Sequence, residues 1–181
     1  MKGVTIRAAV IDDAAGIAHV HVESWRAAYK GIVPQDFLDA MSEERRTGQW
    51  TDILTARTYR NWVAVVDGRI VGFAGTAAPD ANDAPDLASG ALELATIYVL
   101  REAWDTGVGR ALMNKVVGDC RGHGTPELVL WVFTANARAR RFYERAGWLP
   151  DGAGRDLAVG GAQIPMMRYR LTLARGDKAS T

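Results

Sequence analysis

A mixed α/β fold is predicted for this chain by three observations. Short apolar runs of strand length alternate with segments whose apolar residues recur at helical spacing. The dipeptide Asp67-Gly68 between two apolar runs marks a hairpin, and therefore at least one antiparallel strand pair. An apolar run over residues 91–99 is followed by a glycine pair, Gly107 and Gly109, that opens a helix. A length of 181 residues fits one domain with a substantial core. Residues 1–173 are expected to form it, and the small, polar residues 174–181 to fray as a tail.

Residues 4–10 alternate in part and read as the first strand, ended by Asp12 and Asp13, which can cap a helix. Ile17, Val20, Val22, Trp25, Ala28 and Tyr29 recur near helical spacing and define that helix. Gly31 and Pro34 break it, and residues 35–41 and 43–54 suggest one or two more helices. The hairpin supplies strands at 62–66 and 70–75, and residues 79–90, rich in Ala, Asp and Pro, form a loop. A fourth strand covers 91–99, and the helix after Gly107 runs to about Gly122. Residues 128–133 are a buried-type strand, 137–146 a helix, and Trp148 starts another strand. Gly160-Gly161 marks a turn before a last strand near 166–171.

Charge and cysteine content exclude several classes. There are 22 basic and 21 acidic residues, so no global field favours nucleic acid or an anionic membrane. The first residues, MKGVTIRAAVIDDAAG, are not a signal peptide, and no apolar run approaches membrane-spanning length. Cys120 is the only cysteine, which rules out an intrachain disulfide and makes a reducing cytoplasm the expected compartment. It reads as a small apolar residue on a helix, since no His or Asn pattern marks a nucleophile. His19, His21 and His123 are not spaced as metal ligands, and no metal is expected.

The glycine pair carries the chemistry. The first N–H groups of a helix lack internal acceptors, and the helix dipole favours negative charge beside them. Gly107 and Gly109 carry no Cβ, so a phosphate can approach the main chain. A dinucleotide fingerprint would need a third glycine where Leu112 stands, and a nucleoside triphosphate loop would need Lys-Ser/Thr where Arg110 and Ala111 stand.

A second block, NARARRFYERAGW over residues 136–148, sharpens the reading. With both blocks the chain resembles the GNAT superfamily of acetyl-coenzyme A-dependent N-acetyltransferases. The family's pyrophosphate motif, Arg/Gln-x-x-Gly-x-Gly/Ala, stands here as Trp104-Asp105-Thr106-Gly107-Val108-Gly109. Its second block stands as Asn136, Phe142-Tyr143-Glu144 and Gly147-Trp148. The resemblance covers most of the chain and implies a mostly antiparallel sheet, flanked by helices and splayed between its fourth and fifth strands.

The resemblance also implies roles. Main-chain groups of Ile97, Tyr98 and Val99 would pair with the pantetheine arm as with an added strand, and an N–H near Val99 would face the acetyl oxygen. Backbone N–H groups of Asp105, Thr106, Gly107, Val108, Gly109 and Arg110 would hold the pyrophosphate, with Ala111 ending the contact segment. Asn136 would bind the pantetheine amide region. Tyr143 resembles the tyrosine beside the thioester sulfur, protonated at neutral pH and able to donate to a thiolate. Read from the residues alone, Tyr143 could equally be a core aromatic, as Phe142 is expected to be.

Glu93 is the general-base candidate, a lone acid in an apolar strand; it reads also as a strand-end residue facing solvent or an ion-pair partner. Residues 128–133 hold no acid, which leaves Glu93 as the strand acid near the expected site. One departure from the family pattern is Asp105-Thr106, where Arg-Gly or Gly-Lys is usual, so that an acid stands beside a diphosphate. Arg101, Arg110, Lys115 and the cluster Arg138, Arg140, Arg141 could compensate, or the cluster could be a solvated face.

Trp25 and Tyr29, four apart on one helix face, and Trp131 are candidates for the acceptor site. Asp80, Asp83 and Asp86 could attract a cationic amine or lie in a solvated loop. The function implied is acetyl transfer from acetyl-coenzyme A to a primary amine of a small molecule, by direct attack in a ternary complex. The alternatives are a protein lysine or amino terminus as acceptor, or a non-catalytic acyl-coenzyme A binding module. Self-association as a homodimer is a further possibility.

Overall fold

The computed structural model describes residues 3–82 and 85–173. One sheet organises them, with strands β1 (Thr5–Ala8), β2 (Asn61–Val66), β3 (Arg69–Ala77), β4 (Leu92–Val99), β5 (Glu127–Phe133), β6 (Leu149–Val159) and β7 (Ala162–Thr172). The helices are α1 (Ala14–Ala28), α2 (Gln35–Asp39), α3 (Glu43–Ala56), α4 (Val108–Gly122) and α5 (Ala137–Arg145). The expected elements and their order are all present. The expected tail at 174–181 lies outside the described residues.

The strand order is β1-β2-β3-β4-β5-β7-β6. Every neighbouring pair is antiparallel except β4 and β5, which run parallel and pair only at Leu92↔Leu128 and Glu93↔Val129. Beyond Glu93 the two strands diverge, which is the splay the resemblance implies. The β2–β3 turn is the expected two-residue hairpin, with Asp67 at φ 49° and Gly68 at φ 77°, both left-handed as a type I′ turn requires.

β4 contains a bulge that sets which way its side chains point. Thr96 pairs with Gly75 but Leu94 pairs with Thr76, so Ala95 is an extra residue without a partner on β3. Glu93 and Tyr98 consequently sit opposite Ala77 and Phe73, four apart on β3 and on one face of the sheet. That face is the one covered by α1 and α3, since Phe73 meets Trp50 and His21. The other face is covered by α4: a Cβ on Gly72 would meet Leu112 of that helix.

The start of α1 differs from the sequence expectation. A 3-10 turn, Ile11–Asp13, precedes the helix, and the Asp13 carboxylate turns back to accept from the Val10 N–H (2.8 Å) and from the Arg7 guanidinium (2.6 and 2.7 Å). It therefore ties the helix entry to β1 instead of capping α1.

His21, on α1, is buried among Trp25, Trp50, Phe73 and Tyr98. Its Nδ1 accepts from the Trp50 indole N–H (3.2 Å), and burial holds its pKa down at about 3 against an ordinary 6.5. The unfolded chain takes up this proton below 6.5 and the folded chain refuses it until about 3, so stability is full above that window and lost as pH falls through it. Unfolding free energy should drop by ~1.4 kcal/mol per pH unit from this group alone. His21→Asn keeps an acceptor for Trp50 without a titrating ring. Urea unfolding at pH 7 and pH 5 should show a smaller acid loss in the variant; equal losses would mean that other groups govern acid stability.

Candidate active site

The splay leaves one side of β4 without a strand partner beyond Glu93. Leu100 donates its N–H to the Val71 carbonyl (2.9 Å), and the two-residue period of an antiparallel ladder then turns the main chain of Tyr98 toward β3 as well. The main chains of Ile97 and Val99 face the opening left by β5. The expected three-residue contact segment thus reduces to Ile97 and Val99; Tyr98 contributes its side chain on the α1 face. One further group is already used, because the Val99 carbonyl accepts from the Trp104 indole N–H (2.8 Å). Trp104 was legible as part of the glycine motif but not as the residue that occupies this carbonyl.

The anion cradle lies just beyond. Gly107 caps α4 in the left-handed region (φ 94°), with open space where a side chain would stand. Val108, Gly109 and Arg110 begin a fifteen-residue helix, so their N–H groups have no intrahelical acceptor. Ala111 does not belong with them: its N–H is spent on the Gly107 carbonyl (3.0 Å) in the first closed turn. Thr106 closes the loop from below through its hydroxyl, which donates to the Ala103 carbonyl (2.7 Å).

Gly109 departs from the sequence expectation. A Cβ there would approach Phe142 at 3.4 Å and Val99 at 3.8 Å, not an open cradle. The two glycines therefore differ: Gly107 supplies the backbone conformation, while the Cβ position of Gly109 lies at ordinary contact distance from the Phe142 ring of α5. Gly107→Ala should cost ~1 kcal/mol in folding and distort the cradle. Gly109→Val should lower apo stability and coenzyme A affinity together, because a displaced Phe142 disturbs both. Thermal melts with and without coenzyme A check this, and a Gly109→Val chain of unchanged apo stability would restore the simpler phosphate-clearance account.

The acid of the loop is neutralised locally. Asp105, at φ 60° and well exposed, pairs with Arg138 (3.3 Å), whose guanidinium stacks on the Trp104 ring 3.9 Å from its centroid. Arg138 is thus the compensating member of the cluster; Arg140 instead donates to the Thr134 carbonyl (3.2 Å) and the Tyr169 hydroxyl (3.4 Å).

Part of the Asn136 side chain is already committed. Its side-chain oxygen caps α5 by accepting from the Ala139 N–H (3.1 Å), and the residue is buried. The helix it starts carries Tyr143, 9% exposed, beside Phe142, Trp148 and Tyr169. Burial, and then the nearby Tyr98 phenol, raise the Tyr143 pKa well above 10, which keeps the phenol protonated throughout the working pH range. Tyr29 and Tyr98 join hydroxyls at 3.4 Å, and burial raises the pKa of each. Trp25 and Phe133 pack edge-on against Tyr29, both with centroids at 4.9 Å, so Trp25 and Tyr29 form one aromatic wall.

Glu93 is half-buried, and burial first, then the Asp80 charge, raise its pKa above the ordinary 4.5. Trp131, on the same face, lies under the Arg155 guanidinium (4.3 Å to the ring centroid). The loop before β4 is not simply solvated. Asp86 bonds Arg168 (2.9 and 3.0 Å) and also Arg170, while Asp83 lies outside the described residues. β5 also begins one residue earlier than expected, with Glu127, so that strand does hold an acid. It is spent on the Ala88 N–H (2.7 Å) and Arg170 (3.2 Å) and leaves Glu93 as the acid at the splay. Cys120 is buried, and burial pushes its thiol up to about 11, in keeping with a packing role.

Comparison with known proteins adds the lineage. An N-acetyltransferase of Bacillus subtilis (strain 168), YuaI, is 32% identical over 135 residues, 74% of this chain and 73% of that one. A putative acetyltransferase of the GNAT family from Desulfovibrio desulfuricans superposes with a TM-score of 0.70 at 28% identity, covering 95% of this chain and all of that one. YncA, a putative acetyltransferase from Salmonella typhimurium solved with its cofactor acetyl-CoA, shares the fold with a TM-score of 0.71 at 19% identity, over 99% and 98% of the two chains. The family profile matches residues 20–148, a stretch that takes in the glycine turn, the splay and the α5 block, and the chain belongs to the acetyltransferase (GNAT) family.

Proposed function

We propose that this N-acetyltransferase moves an acetyl group from acetyl-coenzyme A to the primary amine of a small molecule, by direct attack in a ternary complex, with residues 1–173 acting as one catalytic domain. The residues present fit the cofactor: the free N–H groups of Val108, Gly109 and Arg110 suit a diphosphate, and the outward amides of Ile97 and Val99 suit the pantetheine arm. The bound thioester supplies an activated acetyl group and a good leaving group.

The chain's own residues do the rest. Glu93, raised in pKa, takes the proton from the incoming ammonium through water. A main-chain N–H near Val99 would face the acetyl oxygen and stabilise charge there. The Tyr143 phenol gives its proton to the departing sulfur. Tyr29, Trp25 and Trp131 line the acceptor side, and Asp80 with Glu93 makes that side attractive to a cation.

The observation that supports this reading is the divergence of β4 from β5 just after Glu93, which leaves the outward amides of Ile97 and Val99 without a strand partner on that side. The test is release of free thiol from acetyl-coenzyme A with a panel of amines, peptides and no acceptor. Turnover with small amines supports the reading, turnover only with peptides moves the acceptor to protein, and tight coenzyme A binding without turnover makes the chain a binding module. Coenzyme A at a hundred times its dissociation constant should stabilise the fold by ~2.7 kcal/mol; no shift in melting temperature would count against the whole assignment.

A further inference from the structure

Away from the splay, three of the large apolar side chains that the described residues expose, Val10 (53%), Ile11 (51%) and Tyr59 (40%), line a single groove of about 530 Å³. It lies between the segment after β1 and the end of α3, with buried Leu54 and the side of Asn61 completing its walls. A volume of this order is typical of small-molecule sites, and exposed apolar side chains gathered around a concavity mark binding surfaces.

One charge lines the groove. Arg57 follows the last turn of α3 in the left-handed region (φ 49°), a conformation that a non-glycine residue holds only under strain. No hydrogen bond or ion pair engages Arg57 within the described residues.

We propose that this groove is a second ligand site, for a small amphipathic monocarboxylate. Its apolar body lies among Val10, Ile11, Leu54 and Tyr59, and its carboxylate is held by the fork of the Arg57 guanidinium. The charge selects the head, because a planar guanidinium matches a carboxylate through two parallel hydrogen bonds. The shape argues against a protein partner. A stable protein interface needs about 800 Å² from each side, and two copies of a concave surface placed face to face would enclose a void. Asn61 stands on β2, two strands from β4, so this site and acetyl transfer occupy separate ground. Asn61 nonetheless reaches toward β4: a Cβ on Gly75 would collide with its side-chain oxygen and crowd Thr96, which shares that face.

Octanoate titrated into the full chain with saturating coenzyme A, followed by amide chemical shifts, tests the proposal. The coenzyme A keeps the acyl chain out of the pantetheine channel. Saturable shifts should fall on residues 9–11 and 54–61. Arg57→Gly suits the left-handed backbone, so it removes the head group's partner without strain, and it should weaken octanoate binding about tenfold or more. Arg57→Lys, which keeps charge but not the fork, should fall between, and Val10→Asp should abolish binding of octanoate and of octanol alike. The proposal is overturned if no saturable shift occurs, if shifts map elsewhere, or if Arg57→Gly binds octanoate as the native chain does. It is overturned equally if sedimentation shows that the groove is covered by a second copy.

Discussion

Tyr143→Phe should lower turnover by on the order of ten- to a thousandfold, or ~1.4–4 kcal/mol of transition-state stabilisation, while coenzyme A affinity stays within a few-fold of native. Only an oxygen is removed. The ring keeps its place against Phe142, Trp148 and Tyr169, and no hydrogen bond within the described residues is lost, because the Tyr143 hydroxyl makes none there. Stability should therefore hold. A fall in turnover with an intact melting temperature assigns the phenol to chemistry. Unchanged turnover would mean that water protonates the sulfur and that Tyr143 belongs to the core.

Glu93→Gln should cost a comparable factor, about a hundredfold or more near neutral pH, because Gln keeps the shape of Glu but cannot accept the ammonium proton. The pH dependence identifies the cause. Burial and Asp80 raise the Glu93 pKa, so the acid limb of the native rate profile should lie above the range of an ordinary carboxylate, and Asp80→Asn should move it downward. As pH approaches the amine's own pKa, about 10.4 for a lysine-like acceptor, free amine becomes plentiful and the variant should close on the native enzyme. Stability should move the other way. A carboxyl whose folded pKa is raised favours folding while it is protonated and loses that advantage as pH rises through the folded pKa, so at pH 7 Gln should be neutral or stabilising. Superimposable rate profiles would take Glu93 out of catalysis.

The parts of the fold legible in the sequence are those governed by local rules. Asp67-Gly68 dictates its turn because only left-handed backbone closes a two-residue hairpin, and Gly107 dictates the α4 cap for the same reason. Tyr143 and Glu93 stand out in the sequence as candidates, the one through the family resemblance and the other as a lone acid in an apolar run. What was not legible depends on atoms far apart in the chain. Nothing in the sequence around Val99 announces that the Trp104 indole takes its carbonyl, or that the Asn136 side-chain oxygen caps α5. The Asp86–Arg168–Arg170 network joins residues more than eighty positions apart, so a loop that reads as solvated is in fact tied to β7. Nor does the sequence around Gly109 announce the Phe142 ring that its Cβ position would touch.

The extra residue in β4 has a consequence best put as parity. Side chains alternate along a strand, so two residues an odd number apart belong to opposite faces. Glu93 and Tyr98 are five apart and still share a face, because Ala95 is skipped in the count against β3. Excising Ala95 would restore strict alternation and carry Glu93, untouched in identity, through the sheet to the side of α4. At this position the length of the strand, more than any side chain on it, decides which face of the sheet carries the acid.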